Sequence, residues 1–184
     1  MNKYDSEEII HVKNGDLEYL QFKILNQHNV KNCITLKHGG MSKGEHESLN
    51  FRTLGTDKLE NVLKNLDIIS KELNFSNIHK GTQAHTDKVL ILDENNEQNY
   101  IFENLNKEEV DGYITDKKEI ATLITTADCN PIIIFDNYFK FIFLYFRYNK
   151  RYKIMGFFLR FCICSVNHGI VYIYNFTTTY AFGT

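Results

Sequence analysis

The chain has 184 residues, of which 43% are hydrophobic, enough for one domain with a sizeable core and too apolar for disorder throughout. Its four cysteines include no C-x-x-C pair, which argues against a zinc ribbon or a disulfide scaffold; there is no apolar run of roughly 18 residues to span a membrane, the start is too polar for a signal peptide, and a cytoplasmic setting is expected. The net charge of −2 conceals an asymmetry: residues 1–136 hold 15 basic and all 23 acidic residues, whereas residues 137–184 hold 6 basic residues and 16 of the 25 Phe and Tyr.

Ile9–Val12 and Tyr19–Ile24 are short apolar runs joined through Asn14-Gly15-Asp16, a hairpin signal. Asn32–Leu36 predicts another strand. A polar stretch with four glycines follows from His38 to Thr56, long enough to suggest a functional loop. Asp57 is placed to cap a helix, with Glu60 completing a capping-box-like pair. Leu59, Val62, Leu63, Leu66, Ile69 and Leu73 form its apolar stripe, Lys and Asn lie opposite, and the helix is expected to stop near Asn74. Ile78–Gln83 and Lys88–Leu92 predict strands around Ala84-His85-Thr86-Asp87, and Asp93–Asn106 predicts a loop. Ile120–Ile124 and Ile132–Phe135 read as strands buried on both faces. Between them, Thr125 to Pro131 sets Cys129 at a strand end.

A cysteine thiolate and an imidazole are natural zinc ligands, and equally a nucleophile with its base. Cys129 and His85 therefore admit both readings, beside the plainer one of a small core cysteine and a surface histidine. The glycines after Lys37-His38 suit an anion-cradling turn or a simple bend, and they lack the patterns of nucleotide-triphosphate and dinucleotide sites.

Five segments occur in one order: Lys37-His38-Gly39-Gly40-Met41-Ser42-Lys43-Gly44, Ser48-Leu49-Asn50, Gln83-Ala84-His85-Thr86, Val110-Asp111-Gly112 and Thr126-Ala127-Asp128-Cys129-Asn130-Pro131. Together they closely resemble the purine nucleoside phosphorylase family once called the multicopper polyphenol oxidase, or laccase-domain, family, over roughly residues 32–140. The resemblance implies an α/β fold, a four-layer α/β/β/α sandwich with mixed sheets, incomplete here at the C-terminal end. It implies one zinc, with copper as the alternative metal, held in part by His85 and Cys129, which are also the catalytic candidates. His38 and Asn50 match loop positions that contact substrate. The implied reaction is phosphorolysis of purine nucleosides to base and ribose 1-phosphate, with adenosine deamination in some members. The partners are then a purine nucleoside and phosphate, without nucleic acid or membrane.

Two departures bear on activity. Lys37 stands where the family usually has Arg, so a bidentate anion contact is weakened. The family's later H-S/A-G-W-R-G motif, source of the third metal ligand, is absent, and the chain has no tryptophan. The expectation is a body of residues 1–140 followed by an unmatched tail, 141–184, of the kind a shifted reading frame produces, in a copy with impaired activity. In that tail Cys162, Cys164 and His168 match no common zinc spacing, and its sparse basic residues are poor support for single-strand binding. Phe141–Phe146 has the strand propensity to join the body sheet. The competing classes are a non-catalytic remnant acting as a binding module, and a copper phenol oxidase or a hydrolase with Cys129 as nucleophile on the same scaffold.

Overall fold

The hairpin forms at the expected turn. In a computed structural model that describes residues 3–53, 55–75, 77–93, 109–118, 120–126, 130–136 and 141–147, strand β1 (Ile9–Asn14) pairs antiparallel with β2 (Leu17–Phe22). The two-residue connection puts Gly15 first, at φ +60°, which suits a type II′ turn. Strand β2 stops two residues short of Ile24, because Lys23–Gln27 turns into a short helix, α1. Strand β3 is only Ile34–Thr35, set against β2 to give the order β1-β2-β3.

Helix α2 (Leu59–Leu73) starts two residues later than Asp57, and Lys58 at its N-terminus makes no side-chain cap. Asp57 is diverted into the preceding loop, and Glu60 pairs with Lys64 one turn on rather than closing a capping box. The C-terminal end follows expectation. Asn74 adopts the left-handed conformation (φ 52°), and the amides of Asn74 and Phe75 return to the carbonyls of Lys71 and Ser70, a Schellman arrangement. Val62, Leu66, Ile69 and Leu73 are buried, each worth about 1.5–3 kcal/mol. Two stripe assignments change: Leu59 is 51% exposed, and Asn65, expected on the polar face, is fully buried on the apolar one. Glu72 ties the helix to the hairpin by accepting from Asn14 and from the Tyr19 hydroxyl, each at 2.9 Å. These elements belong to the first of two compact units, Met1–Phe75.

The second unit, Ser76–Thr184, contains two sheets among its described residues. Strand β4 (Asn77–His79) runs parallel to β7 (Ile120–Thr122). The other sheet has the order β5-β6-β9-β8, from Val89–Leu92, Gly112–Thr115, Phe141–Arg147 and Asn130–Asp136. Its β5–β6 pairing is parallel and its other two pairings are antiparallel, so the sheet is mixed. Residues 141–147 thus join a body sheet, between β6 and β8. Leu92, Val110, Tyr113 and Ile120 form a buried cluster with Leu90 and Ile124 against it. The expected Asp93–Asn106 loop lies almost wholly outside the described residues. None of the helices among the described residues is long and apolar enough to cross a membrane.

Candidate functional site

The segment after β4 carries His85, and one buried carboxylate shapes it. The amides of Ala84 and His85 each donate to one Asp111 oxygen at 3.1 Å; the Thr86 amide (2.6 Å) and hydroxyl (2.7 Å) donate to the other. Four donors on one fully buried carboxylate satisfy charge and lone pairs together. They hold His85 in the left-handed region, φ 59°, uncommon for a residue with a side chain, and leave it exposed.

Gln83 makes a second clamp. Its carboxamide nitrogen donates to the Thr125 carbonyl at 2.9 Å, and its oxygen accepts from the Thr125 amide at 2.6 Å and hydroxyl at 2.7 Å. A side-chain amide here stands in for a strand partner. It fixes the loop of His85 beside the start of the segment that leads to Cys129. Cys129 itself, with Ala127 and Asp128, lies outside the described residues.

In the first unit, His38 is exposed and lines a cavity of about 680 Å³ with Lys13, Glu18, Gly40, Lys43 and Ser48. Gly39, at φ +85°, lies so close to the Leu17 backbone that a Cβ would collide with it, and Gly40 is pressed equally on Ser48 and Leu49. The expected anion-cradling turn is therefore at least a close-packing turn.

Asn50 is not among the residues lining that cavity. Its amide nitrogen donates to Asp57 at 2.8 Å, its side-chain oxygen accepts from the Arg52 amide at 2.9 Å, and its carbonyl accepts from Asn65 at 2.8 Å. Asp57 also accepts from the hydroxyl of Ser42 (2.6 Å) and the amide group of Asn61 (3.2 Å). These bonds, that of Ser42 foremost, lower its pKa to about 2. The carboxamide of Asn65 reaches the Met41 amide (2.7 Å), Ser42 hydroxyl (2.9 Å) and Ser48 carbonyl (3.3 Å). Asn65 and Asp57 are organisers that the sequence pattern alone did not show. The available signal was an Asn three residues after Val62, on the helix's own apolar face.

His85 offers an imidazole for a metal or for proton transfer. Among the described residues no group of three or more His, Cys, Asp or Glu side chains is placed to hold a metal ion. Burial pushes the Cys33 thiol up to about 12, so it stays protonated and is a poor ligand. One imidazole does not retain zinc, and the described residues are not by themselves a metal centre.

Residues 31–144 match the family model of the multi-copper polyphenol oxidoreductase laccases. The chain belongs to that family. The laccase-family match extends past residue 140 and ends inside β9. Three solved structures share the fold. The Geobacillus stearothermophilus protein YlmD is 23% identical, with TM-score 0.63, over 76% of this chain and 53% of its own. A Bacillus licheniformis hypothetical protein, YfiH, is 19% identical with TM-score 0.62, over 77% and 52%. The Neisseria meningitidis protein NMB0706 is 19% identical with TM-score 0.53, over 77% and 50%. The chain thus spans about half the length of each. A search of curated proteins gave no match. The family is enzyme-like and associated with metal binding, and the described part of this chain is a mixed α/β fold of that kind.

Proposed function

We propose that the chain is a purine nucleoside phosphorylase of the laccase-domain type. It would split adenosine, inosine or guanosine with phosphate into base and ribose 1-phosphate, with adenosine deamination as a further activity, on a four-layer α/β/β/α scaffold supplied here in part. The Gln83–Thr125 clamp carries the reading: it joins the loop of His85 to the segment entering Cys129, across 42 positions of sequence. Two ligands of one ion would require the segments of His85 and Cys129 to lie side by side, which the clamp supports. His85 and Cys129 are the proposed metal ligands, for zinc first and copper second, and the ion would supply Lewis-acid polarisation at an open position.

The chain's own residues have separate tasks. His38 contacts substrate at its cavity. Asn50, whose carboxamide is engaged with Asp57 and Arg52, serves that wall by holding its loop. Asp111 fixes the His85 main chain, which sets the point from which the imidazole is presented. Purine nucleoside and inorganic phosphate are the proposed partners, without nucleic acid or membrane, in a reducing cytoplasm that keeps the thiols free. With no H-S/A-G-W-R-G motif to add a third ligand and an arginine, turnover is expected to be feeble.

The test is release of hypoxanthine or adenine from inosine or adenosine, with zinc supplied, with and without phosphate. Slow release that requires phosphate, with well below about one zinc retained per chain after dialysis, is the expected result. Release independent of phosphate points to the hydrolase. A folded, zinc-supplied chain that releases no base at any phosphate concentration overturns the phosphorylase reading and leaves a binding module.

A further inference from the structure

Lys80 follows the last residue of β4 and is 5% exposed. Among the described residues its ammonium has one acceptor, the adjacent Gly81 carbonyl at a long 3.3 Å, and no carboxylate pairs with it. Lysine is almost never buried without a partner, because water is lost and nothing charged replaces it. Burial alone pushes its pKa down to about 8, which still leaves it largely charged at neutral pH. Two residues on, the Thr82 hydroxyl is buried and finds no hydrogen-bond partner among the described residues. Residues two apart in extended chain share a face.

The backbone under both side chains is tied down. The Gly81 amide donates to the Tyr113 hydroxyl, the Thr82 carbonyl accepts from the Val110 amide at 2.9 Å, and Thr82 bridges to Glu109. The segment also leaves the carboxyl end of the parallel β4–β7 pair, the end at which open α/β sheets place ligands.

We propose that Lys80 and Thr82 form a binding site for a small oxyanion, inorganic phosphate. The ammonium contributes charge and its unused N–H donors, and the hydroxyl one more donor, to oxygens that only accept. The choice of phosphate among oxyanions rests on the phosphorolysis reading, in which phosphate is the second substrate.

The experiment titrates the intact chain with sodium phosphate at constant ionic strength, following calorimetric binding and the melting temperature, with sodium chloride as the control and sulfate as competitor. Lys80→Met keeps the stem's bulk without its charge, and Thr82→Val keeps the shape without the hydroxyl. The expected result is saturable phosphate binding that Lys80→Met abolishes and Thr82→Val weakens about tenfold, as for one lost charge-assisted hydrogen bond. Without phosphate, Lys80→Met should melt no lower than the native chain, because it removes a buried unpaired charge. Absence of phosphate binding by the native chain, or undiminished binding by both variants, overturns the site. If Lys80→Met does not fold, Thr82→Val decides alone. Sulfate binding as tightly as phosphate keeps the oxyanion site and overturns the choice of phosphate. Phosphate bound through Lys80 without phosphate-dependent base release sinks the phosphorylase reading and leaves the site. Phosphate-dependent release unchanged in both variants does the reverse.

Discussion

The Gly-rich loop of the first unit and the His85 loop of the second are each organised by one aspartate, but from different donors. Asp57 gathers the side chains of Ser42, Asn50 and Asn61, together with the Lys58 amide. Asp111 gathers three consecutive main-chain amides and one hydroxyl. In the first loop side chains make the shape, and the Asn50 carboxamide takes part in it through Asp57 and the Arg52 amide. In the second the main chain makes the shape, through the amides of residues 84–86, and the His85 side chain is exposed. A loop held by its backbone is the better platform for a reactive side chain.

The contrast is broken most severely at Asp111. Asp111→Ala takes the shared acceptor from three half-buried amides and should cost roughly 3–5 kcal/mol, read as a lowered urea midpoint with fast hydrogen exchange at residues 84–86. Asn65→Leu keeps the helix face filled but leaves the Met41 amide and the Asn50 carbonyl without their partner, while the Ser48 carbonyl keeps the Ser42 amide. About 2–3 kcal/mol is expected, with the melting transition lowered and no local effect at 84–86. Gln83→Leu should cost less, about 1–2 kcal/mol, but loosen the two loops from each other. A His85→Cys chain reports this: oxidation should link residues 85 and 129, mapped by mass spectrometry, and adding Gln83→Leu should slow the link. No such disulfide in the His85→Cys chain would show that the two positions are not neighbours.

The smallest effect is electrostatic. The Asp57 carboxyl titrates near 2 in the folded chain against 3.8 for an ordinary aspartate. The unfolded chain therefore takes up the proton first as pH falls. Asp57 contributes stability above about pH 4 that is lost progressively between 3.8 and 2. Asp57→Asn should flatten the acid limb of a stability–pH curve in that interval, while Asp111→Asn acts chiefly by lowering stability at neutral pH. An unchanged acid limb would mean that Asp57 is not held by the bonds described.

How much of this was legible in the sequence follows from the distance over which each decision is made. The β1–β2 hairpin and the stop at Asn74 depend on a few adjacent residues, and both appear where the local pattern puts them. The start of α2 does not, because Asp57 is claimed by Ser42, 15 positions away. Asn65 was misplaced for the same reason: its buried carboxamide is satisfied by Met41, 24 positions back, so apolar periodicity alone sets it on the wrong face. The motifs holding Gln83 and Asp111 were visible, but not that one clamps Thr125 and the other the loop amides. His85 and His38 were legible as candidates. The strand propensity of Phe141–Arg147 was legible, but not its place between β6 and β8, which is a long-range choice.

That place has a consequence for how the molecule comes into being. On the ribosome β6 emerges well before its neighbour: Gly112 must wait for Tyr145. Strand β8 emerges in between and meets β9 across residues 137–140, so those two can zip locally before either reaches β6. Until residue 147 has cleared the exit tunnel, one side of β6 is an open edge, available to any extended chain nearby. The nascent protein thus has a vulnerable interval of about 30 residues' synthesis, on the order of seconds, during which a chaperone or a stray strand competes for the position that Phe141–Arg147 will occupy.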